Sequence, residues 1–124
     1  MARYLISFND GAMDHIPAEE MSDVGKASHA VVEGAVDAGV WVFGGGLERQ
    51  RASIVATNGS VTDGLYPETK EVIGGFAVVD VPTREEALVW AARIAASCRC
   101  GQEVRELMPD PETEEMIRRA DGRG

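Results

Sequence analysis

Two hydrophobic periodicities alternate along the chain in a fixed order, and that order limits the available folds more than any other feature. Residues 3–8, 40–43, 76–81 and 102–107 are short apolar or alternating runs of strand type, bounded by Gly, Asn, Asp or Pro. Between the first two, Met21, Val24, Ser28, Val31, Val32 and Ala35 fall on one helical face. Pro17 with Glu19 and Glu20 marks the start of that helix, and Gly39 its end. Between the last two, Thr83 and Glu86 form a capping box for a second helix that buries Ala87, Leu88, Ala91, Ile94 and Ala95. Asn58-Gly59 predicts an additional hairpin, with arms at 52–57 and 60–66 and a type I′ turn. Setting the hairpin aside leaves β-α-β-β-α-β. This is the ferredoxin-like α+β plan, with two helices covering one face of an antiparallel sheet.

Two helices cover only one sheet face, yet the runs at 40–43 and 76–81 are apolar on both sides. A homodimer that buries the other face is therefore expected. The 124 residues divide into one domain, 1–108, and a charged tail, 109–124, with a short helix expected around Glu112–Arg119. The net charge of −9, with ten scattered arginines and no basic patch, argues against nucleic acid and anionic membranes as partners. No apolar run approaches the roughly 20 residues of a membrane span, and no basic-then-apolar leader opens the chain, so the cytoplasm is the expected location. Cys98 and Cys100 are too close for an easy disulfide and too few for a zinc site, and are read as reduced thiols.

The most information-dense run is 61–81, where Glu68, Thr69, Lys70 and Glu71 stand between the Asp63-Gly64 turn and the Gly74-Gly75 entry to the apolar strand 76–81. Such a cluster either presents groups to a cleft or forms a solvated, self-paired loop. Gly44-Gly45-Gly46 lacks the residues of a nucleotide-binding loop, because no Gly-Lys-Ser/Thr follows; a bulge or a close backbone approach explains it. No cofactor motif, metal set or nucleophile arrangement is complete. His29, on the flank of the first helix's apolar stripe, is the natural proton-transfer candidate, set against the plainer reading of a half-buried surface histidine. His15 lies in a loop. Asp63 or Glu71 would supply a carboxylate. Lys70 and Arg105 would hold an anion, with Tyr66 beside them as a ligand contact.

Asp63-Gly64-Leu65-Tyr66, Glu68-Thr69-Lys70-Glu71 and Gly74-Gly75-Phe76 together resemble the DGPF-type branch of the YCII-related domain family, with Leu65-Tyr66 where Pro-Phe is usual. The resemblance spans roughly residues 3–107 and implies a dimeric α+β barrel. It also implies, from other members, a first-helix histidine paired with an aspartate; Ser28-His29-Ala30 matches that context and Asp63 is the chosen partner. Two functions follow as expectations. One is a cofactor-free isomerase, lyase or dehalogenase-like enzyme acting on a small polar organic acid. The other is a non-catalytic dimeric ligand-binding or regulatory module, a companion of a sigma-type transcription factor.

Overall fold

The computed structural model describes residues 2–48, 52–64 and 72–123. Its order is β1 (Ala2–Asn9), α1 (Met21–Asp37), β2 (Trp41–Gly46), β3 (Ser53–Val55), β4 (Val61–Asp63), β5 (Ile73–Val81), α2 (Arg84–Cys98), β6 (Glu103–Glu106) and α3 (Pro111–Arg123). Four strands form a sheet in the order β2-β5-β1-β6, with every neighbouring pair antiparallel. That is the ferredoxin-like arrangement expected from the sequence. β3 and β4 pair separately as a hairpin that packs on no other helix or strand.

Strand alternation assigns the two faces. Tyr4 and Ile6 on β1 stand opposite Val79 and Ala77 on β5, and these four join Val81, Ala87 and Ala91 in the core. Ile6 and Val81 are completely buried; burying a side chain of this size is worth about 1.5–3 kcal/mol. α2 lies directly against β1, β5 and β6, and its Thr83 hydroxyl accepts the Glu86 N–H at 3.2 Å, as the capping box predicts. Leu88, expected inside, is 43% exposed, because Ala87 and Ala91 are small enough to bring the helix close while Leu88 turns away from the sheet. α1 packs on α2 and approaches β2, with its Val24 and Ala35 buried.

Several boundaries differ from the sequence reading. Pro17 opens a single tight turn, Ala18–Glu20, and the α-helix proper begins at Met21. The hairpin is closed by Gly59 N–H donating to Ala56 O at 2.8 Å. Gly59 has φ +87° and Asn58 does not share a positive φ, so the turn is a three-residue loop with a glycine bulge and not type I′. Asn58 instead accepts the Ser60 N–H through its side chain at 3.0 Å. The expected short tail helix extends through thirteen residues, Pro111–Arg123, and packs on no other element among the described residues. No helix among the described residues is long and apolar enough to cross a membrane.

Candidate functional site

A cavity of about 550 Å3 lies beneath α1, within the usual range for small-molecule sites. Its roof is one stripe of α1: Met21, Val24, Gly25, Ser28, His29 and Val32. Ile6, Phe8, Trp41 and Ala77 contribute to its floor and walls together with the backbone of Gly44, Gly45 and Gly46. The far end is closed by Ile94, Ser97 and Cys98 of α2 and by Gln102.

Glycine sets how closely the strands and Phe8 pack around this space. Gly44 stands opposite Ala77, and Gly46 opposite Gly75, in the β2–β5 ladder. A methyl on Gly44 would lie 2.5 Å from Phe76 O and 2.8 Å from Ala77 Cα, so the close approach of β2 to β5 requires glycine there. At Gly75 a methyl would lie 2.5 Å from the tip of the Phe8 ring. Phe8 thus occupies the place where a β5 side chain would stand. Gly64, by contrast, adopts φ +94°, a conformation that costs a non-glycine residue about 1 kcal/mol.

The polar groups gather at one end. The Ser28 hydroxyl lies 3.5 Å from Cys98 Sγ, joining α1 to α2 across the cavity. Ser97 donates to Ile94 O at 2.9 Å, and the Gln102 side-chain N–H donates to Cys100 O at 3.2 Å and lies 3.5 Å from Cys100 Sγ. Burial, then the neighbouring Cys98, raises the Cys100 thiol above its ordinary value; both cysteines are free. His29 is exposed on α1 and forms part of the rim, where a ligand inside and the solvent outside can both reach it.

Of the residues singled out from the sequence, the structure brings His29 to this cavity. Asp63 ends β4 in the detached hairpin and accepts the Ser53 hydroxyl at 3.3 Å; it does not line the cavity. Arg105 stands opposite Leu5 on the sheet face away from the helices, because the neighbouring Val104 faces the core. The expected anion-holding role of Arg105 is therefore not met inside this chain's cavity. Tyr66, Lys70 and Glu71, with most of the polar stretch they belong to, lie outside the described residues. His15 does not line the cavity. Sequence reasoning missed Ser28, Ser97, Cys98 and Gln102 as a set, since they come from three segments; the signal that could have found the space was the glycine content of facing elements. Among the described residues no group of three or more His, Cys, Asp or Glu is placed to hold a metal ion.

Comparison with known proteins agrees with this fold. A solved structure, the 5-chloro-2-hydroxyhydroquinone dehydrochlorinase of Burkholderia phenoliruptrix AC1100 in complex with 2,5-dihydroxybenzoquinone, superposes with a TM-score of 0.50. The match covers 88% of this chain and 96% of that one at 12% identity. None of the curated proteins matches. The YCII-related domain matches residues 3–110, which takes in every strand and both packed helices, and the chain belongs to that family.

Proposed function

We propose that the protein is a cofactor-free acid–base enzyme of the lyase or dehalogenase type, acting on a compact cyclic compound that carries hydroxyl or carbonyl groups. The observation that carries this reading is the cavity: an apolar chamber with hydroxyl, thiol and amide groups at one end and His29 at its rim. The polar groups that line it, the hydroxyls of Ser28 and Ser97, the Cys98 thiol and the Gln102 amide, suit hydroxyl and carbonyl substituents on a ring. The fold shared with a dehydrochlorinase adds analogy in support. The sequence motif running from Asp63 to Phe76 favours the DGPF-type branch of the family.

In the proposed reaction the His29 imidazole takes a proton from the substrate. The freed electron pair forms a carbon–carbon or carbon–oxygen double bond as the carbon–halogen bond breaks, and the halide leaves into solvent. No external oxidant or reductant is needed. Ser28 and Gln102 orient the ring through its oxygen substituents. With no halide to expel, the imidazolium returns the proton to another atom of the same substrate, and the net reaction is an isomerisation.

Chloride release from chlorinated hydroquinones tests this reading. Wild type releases chloride, and His29→Gln slows turnover by about 100-fold or more, while affinity measured by thermal shift stays within a few-fold. Binding with no turnover in the wild type would replace the enzyme by a ligand-binding module and overturn the catalytic reading.

A further inference from the structure

Most of the chamber follows from packing, but three of its glycines, Gly25, Gly45 and Gly46, do not; Gly45 pairs with Phe76 on the other sheet face, which leaves Gly25 and Gly46 facing the void. Gly25 lies within the α1 stripe that faces the void, in helical register with Met21, Ser28 and Val32. Gly46 ends β2 on the sheet face that the helices cover, opposite Gly75. A methyl at either position would meet nothing within 4 Å among the described residues, and neither residue has a positive φ. Neither crowding nor backbone conformation therefore requires glycine there. In a helix interior glycine is the least favourable residue after proline, so Gly25 weakens α1 with no structural return.

We propose that Gly25 and Gly46 are specificity-determining positions that make the chamber a slot for a flat ring, a reading that rests on the chamber being the ligand site. Gly25 removes a side chain from the helical wall, and Gly46 removes one from the wall formed by the sheet. A planar aromatic or quinoid ring lies against bare backbone on both sides, with Phe8 and Trp41 among the flanking residues. A saturated ring of similar diameter is thicker and fits less closely.

Isothermal titration with phenol and cyclohexanol as probes tests the slot. Wild type binds phenol at least tenfold more tightly than cyclohexanol. Gly25→Leu and Gly46→Val each lose at least tenfold in phenol affinity. Gly25→Ala, the mildest change, raises the melting temperature through better helix propensity and still weakens phenol by a few-fold. That opposition of signs distinguishes a specificity role from a structural one, which would move both readouts the same way. Phenol affinity unchanged in Gly25→Leu and Gly46→Val would overturn the proposal. Equal binding of both probes by wild type, lost together in Gly25→Leu, would leave the chamber as the ligand site and overturn the preference for flat rings. If the wild type binds neither probe, the slot falls together with the functional reading.

Discussion

Tyr4 donates to Glu106 Oε1 at 2.9 Å from a position only 3% exposed, tying the core to the edge strand β6. That hydrogen bond, then burial, then the charge of Glu106 hold the phenol above its ordinary value of 10.0. A raised phenol favours the neutral form in the folded state. Its contribution is whole below about pH 10, where the unfolded chain titrates, and is lost as pH rises through the higher folded value. Melting temperature should therefore fall above pH 10 in wild type. Tyr4→Phe should melt lower near neutrality and lose much of that alkaline slope, as followed by circular dichroism. Arg99 gives a second test, because it closes α2 at φ 58°, a left-handed conformation without glycine's tolerance. Its ion pair with Glu20 is exposed and offsets little of the strain. Arg99→Gly should raise stability by about 0.5–1 kcal/mol in urea titration.

The elements differ in how firmly they are held, and α3 is the loosest. Its N-terminus is capped by Asp110, which accepts Thr113 N–H at 3.2 Å and Thr113 O–H at 2.6 Å. These bonds hold the Asp110 carboxyl below its usual value. Since α3 packs on no other element among the described residues, a chain ending at residue 109 should unfold within about 0.5 kcal/mol of the full chain. A larger loss in chemical denaturation would show that the helix has a packing partner. At this scale the sequence was most readable. Strand order, both packed helices and the Thr83 cap follow from local period and capping chemistry, which neighbouring residues determine alone. The site was far less readable. His29 was visible because its distance from the stripe of its own helix is a local property. Ser97, Cys98 and Gln102 join it only through tertiary packing. Arg105 does not line the chamber, and its face was not readable, because a strand's alternation says which residues share a face but not which face meets the helices. Gly75 reads in the sequence only as a strand entry, and the Phe8 ring that crowds it is brought there by the fold.

On the scale of the whole molecule, the helix-free sheet face lacks a partner. Phe43 is 66% exposed there and meets Phe76 in a tilted ring contact, centroids 6.2 Å apart, beside Leu5 and Val78. On the same face Arg3 Nε lies 3.7 Å from Asp80 Oδ2, while Arg3 Nε and Asp80 Oδ1 are buried without a hydrogen bond among the described residues. Each such orphan costs about 1–3 kcal/mol, so the face has both apolar and polar reasons to be covered. We propose a homodimer packed through it, as the YCII resemblance also implies. Sedimentation at micromolar concentration should give a dimer, and Phe43→Asp should give a folded monomer; a monomeric wild type would refute it. The glycine-walled chamber also bears on how the protein can evolve. Every glycine codon lies one base change from alanine, from valine and from an acidic residue, and third-base changes leave glycine in place. At positions 25 and 46 nearly every coding change therefore adds atoms to the slot, and none can remove any. Drift at these two codons runs in one direction, toward smaller ligands, and a lineage that has narrowed its slot regains the wider one only by direct reversion.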